Sequence, residues 1–521
     1  MNRTQQVAVL FVAVVVTTVV AALPTPAGLT PAGQHALATT AFAAVLWMTG
    51  ALPLPATALL VPLLLTVFGV FPDVADALVG FADPVVFLLL AGFMLAAALQ
   101  KHGLDRRIAY VILARVGSSP RRLVLGVMGA TALLSMLISN TATTAMMAPI
   151  ALGAVNQVTN GAAAEAGDAL DQRPDGGADR PSNLELATLL GTAYAASVGG
   201  VGTLIGTPPN AIVVSQLEVL VGVQITFVQW LAIGLPVVVV TLPLVWYVLT
   251  VVVYPPAVTD VSTARRRART VLHEAGPLDR LARRTVVVFG VTAGLWLLGG
   301  LGFLFEDLLS ATLHTTLFGG AGAHLFGTGG HQGLLYFVVV GLAAIPALLL
   351  SGAADWDDLV DIDWGTLLLL GGGISLANAL SATGATEWLA QVTFGALAGA
   401  PLVVVLGAIV ALTVLVGELA SNTAMAAILA PLLVTAGAAY AGVFGSSTAA
   451  STALALTGAI AASFGFALPV ATPPNAIVYG TGRVDREHML RAGVVLDLLM
   501  VVVVTGAVLV LSRTLWPLVL G

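Results

Sequence analysis

Long apolar runs follow one another down almost the whole chain, at 7–23, 35–53, 57–70, 85–100, 186–222, 226–253, 285–304, 335–350, 364–381, 451–481 and 492–512. A helix that crosses a bilayer needs roughly 20 mostly apolar residues, so this pattern predicts an all-α polytopic membrane protein. Composition agrees: of 521 residues, 58% are apolar and 9% charged, against about 25% charged in a soluble domain. That argues against a soluble enzyme, a disordered chain, a coiled coil and a nucleic-acid-binding protein. Cysteine is absent, which removes disulfides, thiolate metal sites and thiol redox chemistry. The run after Arg3 reads as a retained span, because no small-residue cleavage pattern follows it before Pro24.

Two further apolar pairs, 123–138 with 142–155 and 401–419 with 424–440, are read as re-entrant hairpins that do not cross. The charges support this. Basic residues cluster at 101–122, 255–284 and 482–491, with Arg173 and Arg180 in a Gly/Asp-rich stretch at 156–184. With eleven spans, two hairpins and a cytoplasmic N-terminus, every Lys and Arg except Arg513 falls on the cytoplasmic side, as the positive-inside rule asks. Treating either hairpin as an odd number of crossings spoils the sorting. The stretch 156–184 reads as a flexible insertion. The stretch 104–117, basic and amphipathic, is expected along the inner membrane surface.

The chain also repeats itself. Ile-Ser-Asn-Thr at 138–141 returns as Ala-Ser-Asn-Thr at 420–423, with Pro149 matching Pro431 at the same offset. Gly-Thr-Pro-Pro-Asn at 206–210 returns as Ala-Thr-Pro-Pro-Asn at 471–475. An odd number of crossings separates the two Ser-Asn-Thr motifs, so the halves are inverted relative to one another. Inverted repeats with broken helices near the midplane mark transporters. The division expected is a first span and linker (1–34), repeat 1 (35–254, hairpin about 123–155), a basic cytoplasmic linker (255–284) and repeat 2 (285–521, hairpin about 401–440).

Asn and Pro-Pro are poor helix formers, and non-helical backbone at membrane depth survives only inside protein or beside a cavity. Both Thr-Pro-Pro-Asn spans therefore unwind, and each Ser-Asn-Thr starts the second arm of its hairpin. Helix N-termini offer N–H groups and partial positive charge to an anion. Freed carbonyls, hydroxyls and Asn oxygens suit a small hard cation, and an Asn amide can face a cation with its oxygen and an anion with its nitrogen. No Lys or Arg lies in these four segments. A bound anion would need a co-bound cation to balance it.

On these residues, together with GGGISLANAL (371–380) and the segments around Trp356 and Trp364, the chain resembles the divalent anion/sodium symporter family. The resemblance implies a homodimer in the plasma or inner membrane, each protomer having a scaffold and a transport domain that moves as an elevator. It implies sodium as the coupling ion, no other cofactor, and no nucleic-acid partner. The substrate class it implies is a small divalent anion, such as succinate, malate or fumarate, with citrate and sulfate as alternatives. A first sodium site would use Ser135, Ser139, Asn140 and Gly206. A second would use Gly417, Ala420, Asn422 and Ala471, with glycine at 417 where the family often has threonine. Substrate would lie against Ser139, Asn140, Thr141, Thr207, Ser421, Asn422, Thr423, Thr472 and Pro473.

Glu418 is the one acid beside a hairpin tip, and a role in fixing the hairpin is favoured over a direct ion or proton role. His102, His314, His324 and His331 are expected in solvated loops, and tryptophans near span ends at the interface. An intramembrane enzyme is disfavoured, since neither HExxH nor GxSxG occurs. An anion channel and a sodium-independent exchanger remain alternatives to symport.

Overall fold

The computed structural model describes residues 2–165, 181–325, 327, 329–394, 399–419 and 421–520. Helices dominate the described residues. Seven helical stretches among them are long and apolar enough to cross a membrane: Arg3–Ala22, Pro84–Lys101, Phe227–Val253, Arg280–Gly299, Trp364–Ala382, Asn422–Phe444 and Arg486–Leu511. Shorter apolar helices at Leu54–Val67, Phe337–Leu350, Leu402–Gly417 and Ser447–Ala462 join them. The chain is a multi-pass helical membrane protein.

Helix boundaries repeat as the motifs do. The first hairpin pairs Pro120–Ser135 with Asn140–Glu165, and the second pairs Leu402–Gly417 with Asn422–Ala436. In both, the first arm stops and the second starts at the same places relative to Ser-Asn-Thr. Helix Asn183–Gly200 unwinds before Pro208–Val221, and Ser447–Ala462 unwinds before Pro473–Gly480. In each case Pro-Pro restarts the helix at its first turn, where a missing N–H costs nothing. The unwound stretch is longer in the second half, 463–472 against 201–207.

The halves interlock. Helix Pro208–Val221 packs on Asn422–Ala436 and Ser447–Ala462, while Pro473–Gly480 packs on Asn140–Glu165 and Asn183–Gly200. Each half's restarted helix thus leans on the other half's hairpin and broken helix. Helix Trp364–Ala382 packs against Leu54–Val67 and against Asn422–Ala436, joining the outer helices to the second hairpin.

Several features differ from expectation. Helix Asn140–Glu165 runs on through 156–165, where Ala162, Ala163 and Ala164 favour helix over the expected loop; residues 166–180 of that stretch lie outside the described residues. The segment 305–334 holds a helix, Ala311–Phe318, and a two-stranded antiparallel hairpin, Gly320–Ala323 with Gly329–His331, so the fold is not purely helical. His314 lies on that helix, half-buried, its Nε2 3.1 Å from the Gly302 carbonyl. The His324 and His331 rings stack edge to face at 4.3 Å, and His102 Nε2 is 2.7 Å from the Ala353 carbonyl. Backbone carbonyls and ring contacts hold these histidines where water was expected to. Trp356 and Trp364 are exposed, but Trp230, near a span end, is fully buried.

Candidate functional site

The two hairpin tips and the two broken helices meet around one cavity of about 270 Å³. Ser139, Asn140, Thr141, Thr207, Ser421, Asn422, Thr423, Thr472 and Pro473 all line it. Four helices begin at its wall, at Asn140, Pro208, Asn422 and Pro473. At Asn140 and Asn422 the first-turn N–H groups make such ends natural seats for anions. At the two Pro-Pro starts the first two residues have no N–H, and the third is taken, Asn210 N–H by the Thr207 carbonyl and Asn475 N–H by the Thr472 hydroxyl, each at 3.2 Å. No Lys or Arg lines the cavity.

The first tip carries a cluster of oxygens. Ser135 donates its hydroxyl hydrogen to the Ala196 carbonyl at 2.7 Å and is fully buried. One end of the Asn140 amide lies 2.5 Å from Ser135 Oγ, 3.0 Å from Ala196 O and 3.3 Å from Gly206 O. With its nitrogen turned there, the two amide hydrogens of Asn140 are shared among these three acceptors. With its oxygen there, four oxygens face one point, and a cation would reconcile them. Two glycines permit this approach: a Cβ on Gly200 would sit 2.5 Å from Asn140 Oδ1, and one on Gly206 would sit 2.4 Å from the Gly200 carbonyl.

The second tip is built alike but not identically. Asn422 Oδ1 is buried and has no hydrogen-bond partner among the described residues. Gly417 faces it, since a Cβ there would begin 3.9 Å from that oxygen. Where the first half has the Ser135 hydroxyl, the second offers main chain only. Ala471 is buried at the place of Gly206. Its methyl lies against Gly465, where an added Cβ would come within 3.3 Å of it. Ala420 lies outside the described residues.

The asparagines of the two Thr-Pro-Pro-Asn motifs have another task. Asn210 Nδ2 donates to the Gly200 and Thr203 carbonyls at 3.0 and 2.8 Å. Asn475 Nδ2 donates to the Gly465 and Leu468 carbonyls, both at 3.0 Å. Each asparagine thus ties the unwound stretch to the helix that follows, satisfying carbonyls that broken helix leaves unpaired. The Trp230 indole N–H adds a bond to the Val201 carbonyl at 3.0 Å, a role that its place at a span end did not suggest.

Each tip is also tied to its neighbouring break. In the first half the Thr203 hydroxyl donates to the Met136 carbonyl. In the second, Glu418 accepts from the Ala467 and Leu468 N–H groups at 3.0 and 2.7 Å. Residues 203 and 468 occupy matching positions, as do 136 and 418, so one contact is made twice with the break donating and the tip accepting, side chain to main chain in the first half and main chain to side chain in the second. The neighbouring Asp497 carboxyl accepts from Phe466 N–H at 3.1 Å.

The remaining wall was not foreseen from the motifs. It comes from Leu54 and Pro55, from Phe93, and from Asp363, Gly365, Thr366 and Leu369. Asp363 caps its helix, accepting from the Thr366 N–H at 3.1 Å and its hydroxyl at 2.5 Å. The only pointer to this wall was the Trp364 segment beside a span end. Phe93, Ser139, Thr141 and Asp363 also line a second cavity of about 280 Å³, which reaches Gln100 and Asp361.

Three comparisons bear on this arrangement. A family model described as the sodium:sulfate symporter transmembrane region matches residues 4–520. An uncharacterized transporter of Haemophilus influenzae is 36% identical over 476 residues, covering 91% of this chain and 91% of that protein. The sodium-dependent dicarboxylate transporter SdcS of Staphylococcus saprophyticus is 33% identical over 485 residues, 92% of this chain and 86% of its own length. The crystal structure of the Alcanivorax borkumensis YdaH transporter shares the fold, with a TM-score of 0.53 at 16% identity, over 86% of this chain and 88% of that one.

Proposed function

The chain belongs to the family of the sodium:sulfate symporter transmembrane region, and from that membership we propose that it is a secondary active transporter coupling sodium entry to uptake of small divalent anions. Members of this family are transporters and not enzymes. The substrates proposed are C4-dicarboxylates such as succinate, malate and fumarate, in line with the sodium-dependent dicarboxylate transporter to which the chain is similar.

One observation carries the reading: four helix N-termini and two hairpin asparagines surround a cavity without a single Lys or Arg. The anion would be held by N–H groups of the two hairpin tips and by the hydroxyls of Thr141, Thr207, Thr423 and Thr472. Sodium would bind behind it, first at Ser135, Ser139, Asn140 and the Gly206 carbonyl, then at Gly417, Ala420, Asn422 and the Ala471 carbonyl. Oxygen ligands of this kind suit a hard cation. The charge of the dianion is then offset by the ions that accompany it. In this proposal the hairpins are re-entrant, the repeats are inverted, and the hairpins and broken helices move as one body against the outer helices in an elevator cycle. The assembly proposed is a homodimer in the cell membrane with its N-terminus in the cytoplasm.

The family description favours a second reading, sodium-coupled sulfate transport. The similarity to a sodium-dependent dicarboxylate transporter favours the four-carbon dianion over a compact tetrahedral ion. Purified protein in liposomes should take up labelled succinate only under an inward sodium gradient. Succinate and malate should compete better than sulfate or phosphate. Uptake that ignores sodium and follows internal substrate would replace symport with exchange, and competition by sulfate alone would replace the dicarboxylate.

A further inference from the structure

We infer that the layer formed by the helices Leu104–Leu113 and Ser262–Ala275 is a docking surface for anionic phospholipid headgroups. The two helices pack side by side. Arg107 donates to the Gly276 carbonyl at 2.7 Å, and Arg269 Nε to the Ala114 carbonyl at 3.3 Å, a register that makes them antiparallel. Each arginine so placed also meets the negative end of the other helix. Ala264, Ala268, Leu104, Ala109 and Leu113 are buried beneath the layer, while Arg266, Arg267, Arg269 and Arg106 are exposed on it.

Its charge is out of proportion to the rest of the molecule. The stretches 104–122 and 260–275 hold nine arginines against three carboxylates, in a chain of net charge −6. Among the described residues none of the nine forms an ion pair with a carboxylate. The two helices that rise from the layer sharpen the imbalance. Pro120–Ser135 has Arg121 and Arg122 in its first turn and no acid there. Arg280–Gly299 starts with Arg280, Arg283 and Arg284, and beyond its Asp279 cap has no acid in its first turn. Cations at the positive end of a helix dipole are unfavourable, and a phosphate placed over them relieves both ends.

The surroundings select a lipid over a free anion. The membrane-length stretches Pro84–Lys101, Phe227–Val253 and Arg280–Gly299 all have an end at this layer. Next to the arginines, Leu281, Val286, Val287 and Val252 are exposed. A free phosphate would meet guanidinium groups alone. A phospholipid meets the guanidinium groups with its headgroup and the aliphatic side chains with its acyl chains, and anionic headgroups attract such basic segments.

Native mass spectrometry of the purified full chain with equal amounts of phosphatidylglycerol and phosphatidylcholine tests this. The chain should retain phosphatidylglycerol preferentially, and R266Q/R267Q/R269Q should retain roughly fivefold less. R266K/R267K/R269K, which keeps the charge, should stay near the parent. If the glutamine variant does not fold, R283Q/R284Q should show a similar though smaller loss. Equal retention of the two lipids, or undiminished phosphatidylglycerol on the glutamine variants, would overturn the assignment. Displacement of the lipid by millimolar inorganic phosphate would assign the layer to free anions instead.

Discussion

Asn140 and Asn422 sit at hairpin tips with amides facing oxygens or no partner among the described residues, whereas Asn210 and Asn475 spend their amide nitrogens on backbone carbonyls. Different losses follow when each is truncated. Asn140→Ala and Asn422→Ala should each lower sodium-driven uptake by about 100-fold or more, with thermal stability near that of the parent; normal uptake in both would refute the site. Asn210→Ala and Asn475→Ala instead strand two buried carbonyls apiece, at about 1–3 kcal/mol for a buried unsatisfied group. Their mark should be a lowered Tm and less protein in the membrane. The four asparagines stand out in the sequence because they recur at matched breakpoints. Their division of labour does not, since spacing along a chain says nothing about which way an amide points. Glycine follows the same logic: Gly206→Ala should abolish function through the 2.4 Å approach to the Gly200 carbonyl, while Ala471→Gly should be tolerated.

At the scale of elements, each hairpin tip is held to its broken helix by a different chemistry. The second tie involves a buried carboxylate receiving two N–H groups, and hydrogen bonds to charged groups are worth more than neutral ones. Glu418→Ala should therefore cost about 3 kcal/mol or more, because Ala467 and Leu468 N–H lose their acceptor. Thr203→Val should cost about 1 kcal/mol and leave transport measurable. Thermal unfolding in detergent, run on both variants, compares them; equal costs would remove the distinction. The start of each second arm and of each restarted helix was legible from the repeat, because Asn and Pro-Pro dictate where helix can begin. What was not legible depends on partners distant in sequence. The longer break at 463–472 is stabilised by Glu418, Asp497 and Tyr194, whose hydroxyl donates to the Phe466 carbonyl at 2.8 Å. The fold of 305–334 likewise rests on Gly-rich turns with no repeat counterpart.

Across the whole molecule, the central cavity and its neighbour share Phe93, Ser139, Thr141 and Asp363 and lead toward Gln100, beside Lys101 and the arginine layer. The site thus has an approach from the side bearing most of the positive charge. Because the chain has no cysteine, Ala97→Cys gives a single reporter in that approach. A membrane-impermeant maleimide should label it from the arginine-rich side only, and sodium with succinate should slow the labelling. Labelling from the opposite side would reverse the orientation. Sequence spacing placed the motifs in one region but left out Leu54, Pro55, Phe93 and Thr366, which reach the cavity only through packing between helices far apart in the chain. The composition of that cavity has a thermodynamic consequence. If the same asparagine serves the cation with one end of its amide and the anion with the other, the two bindings are linked, and linkage is reciprocal. Whatever factor sodium adds to dicarboxylate affinity, dicarboxylate adds to sodium affinity. A half-loaded carrier is then the scarcest species in the cycle, and leakage of either gradient is suppressed without any gate dedicated to preventing it.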